Sequence, residues 1–259
     1  VTGVPAYGVL REVAPIASVL LENNPSAMTL EGTNSWVLRA PGSADCVIVD
    51  PGYEDLEHLD LLAGTAPVAL VLLTHHHADH TEGAPWLAER VGAPVRAFDG
   101  ALCRDAEPLA EGRPVNAAGL EIEVLHTPGH TEDSVSLVAR HDERTYVLTG
   151  DTVLGRGTTV LTDLGSYLGS LRKLIELPPG TLGLPGHGPE LADLPATARE
   201  YLAHREQRLG QVRAALREIG EDATPRQVVE LVYADVDRAL WAPAEHSVRA
   251  QLDYLRSRP

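Results

Sequence analysis

The chain is short of several things that particular protein classes need. It has two cysteines, Cys46 and Cys103, among 259 residues. That excludes a disulfide-built scaffold and suits a reducing, cytoplasmic setting. The apolar run Pro67 to Leu73, extended by Ala66 and the longest in the chain, falls far short of the ~20 residues a membrane helix needs. Val1 to Leu10 has no basic segment followed by an apolar stretch, so no secretory signal is expected. Basic side chains are outnumbered 37 to 21, giving a formal net charge of −16. That balance weighs against a protein whose main task is to hold nucleic acid or an anionic membrane. Lysine is nearly missing: Lys173 is the single one and the other 20 basic residues are arginine. With so much Ala, Gly and Pro, that bias reads as base composition rather than function.

What is present is ordinary globular material, 44% apolar and 22% charged. It is enough for one large domain, or a domain with an appendage. The charge is uneven. Residues 1–190 carry 26 acidic and 11 basic side chains, while residues 191–259 carry 11 and 10. The pattern changes at the same place. Short β-branched or apolar runs at 9–13, 18–21, 35–39, 47–50, 95–98, 121–125, 134–139, 145–148 and 181–184 predict strands. The continuous run 68–73 predicts a strand buried on both faces. Helices are expected around 56–62, over 83–91, and after a Ser166 cap through 175. Beyond Pro189 only helices are expected: 196–219, 226–233 behind the Thr224-Pro225 cap, and 243–256. The expected division is therefore a mixed α and β catalytic domain at 1–190 and a helical domain at 191–259.

Eleven histidines stand out against this background. Four of them fall in Thr74-His75-His76-His77-Ala78-Asp79-His80, directly after the buried strand 68–73. In extended chain His75 and His77 point to one side, and Asp79 and His80 follow at the turn into a helix. His and Asp are both ligands for a borderline cation such as zinc. A solvated polar loop is the plain alternative, but it gives no purpose to so many mutually repelling imidazoles. Three further strand ends carry the same kind of residue: Gly129-His130, Gly150-Asp151 and Gly186-His187. A glycine before each allows a tight turn beside a metal. Four such strand ends imply a metal site along one edge of a sheet sandwich.

The set His75-x-His77-x-Asp79-His80, His130, Asp151 and His187 resembles the metallo-β-lactamase superfamily of αββα hydrolases. The likeness covers about residues 15–190. The stretches Met28 to Asn34 and Gly150 to Val160, with the helical tail, resemble its glyoxalase-II-like branch, the β-lactamase-like protein 2 group. The resemblance implies an α+β fold of two mixed sheets flanked by helices, followed by a degenerate winged-helix-like appendage. It implies that His75, His77 and His130 hold one metal, that Asp79, His80 and His187 hold a second, and that Asp151 bridges them. The cofactors expected are two Zn2+, with iron or manganese as alternatives. Asp79 and Asp151 are the expected catalytic acids, and His76 is not expected to ligate. True β-lactamases of the superfamily lack a bridging Asp at this place, so antibiotic hydrolysis is not expected.

Two metals about 3.5–4 Å apart can share a hydroxide that attacks a carbonyl or phosphoryl centre. The expected activity is hydrolysis of a small-molecule thioester, ester or lactone. The acidic catalytic half suits a neutral or cationic substrate, or one bound mainly by metal. The alternative is a metal-dependent endoribonuclease, with Arg199, Arg205, Arg208, Arg213 and Arg217 as the surface that would meet RNA. Those arginines equally make a solvated helix face paired with Glu200, Glu206 and Glu218. Asp50 is either a turn residue or a hydrogen-bond support for a metal-site histidine. Thr158, Thr159 and Tyr167 are candidates for lining the substrate cleft, or simply for capping the next helix. His126 is read as an ordinary strand-end residue.

Overall fold

The computed structural model describes residues 6–257. The first five residues of the expected catalytic domain and the last two of the expected helical domain lie outside it. Eleven strands form two mixed sheets. The first runs β1 (Arg11–Ala14), β2 (Ala17–Leu21), β3 (Asn34–Leu38), β4 (Cys46–Val49), β5 (Val68–Leu72) and β6 (Val95–Arg96) in spatial order. Its last two pairings, β4 with β5 and β5 with β6, are parallel. The crossovers are α1 (Leu56–Ala63), then the short α2 (Ala78–Thr81) and α3 (Ala84–Val91). The second sheet has the order β11 (Leu182–Pro185), β10 (Arg144–Gly150), β9 (Val135–His141), β8 (Leu120–His126) and β7 (Val115–Ala117). Its one parallel pairing, β10 with β11, is bridged by α4 (Leu164–Ile175).

Side-chain alternation builds the layers. Val47 and Val49 of β4 and Leu70 and Leu72 of β5 face inward, against Leu137 of β9 and Leu148 of β10. Cys46, Ile48, Val71 and Leu73 face outward, under Leu59 and Leu62 of α1 and Leu87 of α3. Val138 and Val147 face out from the other sheet, under Leu168 and Leu171 of α4. The result is an αββα sandwich. The strand 68–73 reads as one continuous apolar run because both its faces are covered.

The tail is α5 (Leu194–Ile219), α6 (Pro225–Val232) and α7 (Trp241–Arg256). Thr224 caps α6 in a full capping box, with Pro225 at the first helical position. The long α5 belongs to two cores. Leu194, Ala198, Tyr201 and Leu209 pack with α4, whereas Val212, Ala215 and Leu216 pack with α6 and α7. Chemically the chain changes character before α5, but the packing is continuous across it. Local differences from expectation have plain causes. α4 is capped by the Asp163 carboxylate rather than by Ser166, because Asp163 accepts from the Ser166 backbone N–H. β7 and α2 are too short to show a period in the sequence.

Candidate metal centre

The loops after β4, β5, β8, β10 and β11 converge at one edge of the sandwich. Strand ends deep in a packed sheet are rigid, so the side chains they carry are held in place. Three overlapping trios of donor atoms lie within 4.8 Å of one another: His75, His77 and His130; His75, His80 and Asp151; and Asp79, His80 and His187. The Asp151 carboxylate sits among them, 3.6 Å from His80 Nε2, 3.7 Å from His130 Nε2 and 3.5 Å from His187 Nε2. Asp79 lies 3.2 Å from His187 Nε2.

Ring orientation is fixed from behind. His75 Nδ1 donates to Thr74 Oγ1 at 3.0 Å, and His80 Nδ1 donates to Asp50 at 2.9 Å. His130 Nδ1 donates to the Val160 carbonyl at 2.8 Å, and His187 Nδ1 to the Gly32 carbonyl at 3.1 Å. These partners set the tautomer and turn each Nε2 inward. His77 is the exception and presents Nδ1, 3.2 Å from His75 Nε2 and 3.0 Å from His130 Nε2. His80 Nε2 and Asp151 Oδ1 are buried with no hydrogen-bond partner. Orphaned polar atoms of this kind are costly unless something binds them. The donor set and the inward aim both fit divalent cations.

Electrostatics divides the donors into two groups. Burial, reinforced by His80 and His130, holds His75 well below the usual imidazole range. Burial and His130 push His77 down to about 4, and burial lowers His130 as well. Those three are neutral near pH 7 and ready to donate lone pairs. His80 and His187 go the other way. Burial disfavours their charge, but Asp50 and Asp151 outweigh it for His80, and Asp151 for His187. Asp151 is correspondingly held well below the usual carboxylate range by His187 and His80, against burial. A cation entering this second group displaces protons, which makes its affinity pH-dependent.

Asp50 does more than end a strand. It takes a left-handed φ of 53° before Pro51-Gly52. Its carboxylate accepts from the Thr74 N–H at 2.8 Å, from Thr74 Oγ1 at 2.7 Å and from His80. His76 points away and pairs with Asp133 at 2.7 Å. His126 stacks on Phe98, ring centroids 4.1 Å apart, and bonds the Glu132 carbonyl. The expected substrate-lining residues separate. Thr158 is exposed on the cleft wall. Thr159 also borders the cleft, though its side chain is largely buried, with the hydroxyl 3.0 Å from His130 Nδ1. Tyr167 does not line the cleft at all. It is fully buried under the second sheet, and its hydroxyl donates to the Thr152 carbonyl at 2.8 Å.

Other positioning groups gave no chemical signal in the sequence. Asn34 donates its amide to the Pro185 and Gly188 carbonyls, at 3.0 and 2.8 Å, and so frames the His187 turn. Gly186 leaves room: a Cβ there would lie 2.6 Å from Asp151 Oδ1 and 2.7 Å from His80 Cε1. The five arginines of α5 do not share one face. Arg199, Arg213 and Arg217 are exposed, whereas Arg205 is buried and Arg208 half-buried on the cleft side. Arg205 donates to the Thr159 carbonyl and lies over the Tyr167 ring. Arg205 and Arg208 thus bring cations to the cleft of an otherwise acidic domain.

A two-sheet sandwich with a His/Asp donor cluster at its edge is the architecture of a metal-dependent hydrolase. Residues 28–187 match the metallo-beta-lactamase superfamily and residues 224–258 the beta-lactamase associated winged helix domain, and the chain belongs to that superfamily. It is 34% identical over 257 residues to the Beta-lactamase-like protein 2 homolog of Drosophila melanogaster, covering 91% of this chain and 86% of that one. It is 30% identical over 254 residues to an atrochrysone carboxyl ACP thioesterase of Aspergillus fumigatus, covering 89% and 79%. Its fold matches that of a beta-lactamase domain protein from Burkholderia ambifaria with a TM-score of 0.84, at 24% identity, over 99% of this chain and 90% of the other. No described helix is long and apolar enough to cross a membrane.

Proposed function

We propose that the chain is a binuclear metal hydrolase, zinc-loaded, acting on a small-molecule thioester or a related ester or lactone. The observation that carries this reading is the Asp151 carboxylate, within 3.5–3.7 Å of His80, His130 and His187. That is where one ligand can serve two cations. His75, His77 and His130 would hold the first, and Asp79, His80 and His187 the second. When bound, the metals supply a water activated at neutral pH and electrophilic stabilisation of the developing oxyanion. The residues supply the rest. Asp50, Thr74, Val160 and Gly32 hold the imidazoles in register, Asp79 and Asp151 offset the dicationic charge, and the buried surroundings exclude bulk water.

The likeness to an ACP thioesterase supports acyl transfer to water over phosphoryl chemistry. The RNA reading is weaker because two of its five candidate arginines are turned into the cleft or buried. The test is a panel of acyl thioesters, lactones and single-stranded RNA offered to zinc-loaded protein, with metal content measured in parallel. Thioester turnover at two metals per chain is expected. Cleavage of RNA without turnover of any acyl substrate would refute the assignment.

A further inference from the structure

The cleft between sandwich and tail has two chambers that meet at His130, Asp151, Met28 and Val160. One, of about 530 Å3, is bordered by His77, Asp79, His246, Arg249 and Asp253, and is the less apolar of the two. The other, of about 360 Å3, is mostly apolar, with Leu30, Leu154, Val236, Leu240 and Pro243 in its walls. The tail side of this second chamber carries cations. Arg205 is 4% exposed and its Nε is buried without a hydrogen-bond partner. His204 Nδ1 is buried and unpartnered as well. Arg208 stacks on Tyr233, 4.3 Å from the ring centre, and gives one N–H to the Val232 carbonyl at 3.2 Å.

Charge pairing elsewhere in the chain makes this arrangement informative. Arg226 of the same tail is held by Glu230 and Glu245, and Arg156 at the chamber rim by Glu31. Among the described residues, Arg205 and Arg208 have no such carboxylate, and the chamber's only acidic lining residue is Asp151 at the metal end. In a chain of net charge −16, acids to pair with them were plentiful. A buried guanidinium and a half-buried one beside an apolar wall are suited to an anion brought in by a ligand.

We propose that this chamber receives the acyl part of the substrate, and that the acyl group carries a second carboxylate at its far end, bound by Arg208 with Arg205 and His204 beside it. The proposal rests on the acyl-hydrolase reading above. The smaller, more apolar chamber suits a short acyl chain, and the larger chamber, whose wall carries His246, Arg249 and Asp253, suits the leaving thiol and its carrier arm. The chemistry is ordinary hydrolysis: water forms the new C–O bond, the C–S bond breaks, and one proton goes to sulfur and one to solvent. The products are a thiol and a dicarboxylate.

The test is calorimetric binding of the product class to zinc-loaded protein. Dicarboxylates from succinate to suberate are compared with monocarboxylates of the same chain length. One dicarboxylate is expected to bind about tenfold more tightly than its monocarboxylate partner, equivalent to ~1.4 kcal/mol. Arg208→Gln should bring that ratio to about one, with Arg208→Lys in between. Thioesters of N-acetylcysteamine with the preferred half-acid and with the matching neutral acid should show the same ratio in kcat/KM. Equal binding of di- and monocarboxylates by the parent protein overturns the proposal without reference to any variant. If neutral thioesters are still hydrolysed, the acyl-hydrolase reading stands alone. Tighter binding of phosphopantetheine, lost in Arg208→Gln, overturns it too, because the anion then belongs to the leaving group. A dicarboxylate preference without any acyl turnover supports the chamber assignment and removes the hydrolase reading.

Discussion

The sandwich and the helical tail treat charge in opposite ways. The sandwich buries charge against charge: His80 lies between Asp50, Asp79 and Asp151, and His187 between Asp79 and Asp151. The tail brings Arg205 and Arg208 to the same cleft and leaves them without acids. The two meet in a short relay. Arg205 holds the Thr159 carbonyl, and the Thr159 hydroxyl lies against His130 Nδ1. The sandwich therefore carries the donor cluster, and the tail walls the cleft and steadies one edge of it.

The strongest way to break this contrast is Asp151→Ala. It should abolish stoichiometric metal and hydrolysis together while the sandwich stays folded, as read by elemental analysis, turnover and circular dichroism. Full turnover without bound metal would sink the division of labour. Next comes Asp50→Ala, which removes three hydrogen bonds behind His80 and Thr74 without touching the cleft. A support of this kind is worth about 10–100-fold in metal affinity, measurable by competition with a chelating dye. An unchanged affinity would reduce Asp50 to a turn residue.

Arg205→Ala probes the seam. It strands a carbonyl beside a metal-site loop, at a cost of about 1–3 kcal/mol, so Tm should fall. Turnover should fall as well, through the contact of Thr159 with His130, whereas Arg213→Ala on the exposed face should do neither. The smallest effect concerns pH. Glu22 is buried and accepts from the Tyr53 N–H, with Asn24 alongside. Burial, opposed by that N–H and reinforced by Asp55, raises its pKa from 4.5 to about 7. The folded chain thus keeps a proton that the unfolded chain has lost. This stabilisation is complete below pH 4.5 and is lost as pH rises through about 7. In chelator, the Tm of Glu22→Gln relative to the parent should climb from pH 5 to pH 8. A constant difference would show that Glu22 does not titrate in this range.

The sequence made the sandwich legible because its strands are short, apolar and punctuated. It made the donors legible because four strand ends carry them behind recognisable turns. The alternatives open for Tyr167 could not be separated for a physical reason: a Tyr near a ligand loop looks the same in sequence whether its hydroxyl meets substrate or a buried carbonyl such as that of Thr152. The roles of Asn34 and Arg205 were hidden because their partners are backbone carbonyls more than 40 residues away in the chain. The uncompensated charge of the cleft was hidden too, since net charge is a sum and the cleft samples only one wall of it.

The room left at Gly186 bears on how such a chain can drift. Its backbone does not adopt the left-handed conformation that would demand glycine, so it is space and not backbone conformation that asks for glycine here. The first carbon of any side chain would stand against Asp151 and His80. Position 186 is therefore a place where a change with no charge of its own bears directly on two candidate ligands. Sequence comparisons that score only the metal-ligating side chains would miss such a change.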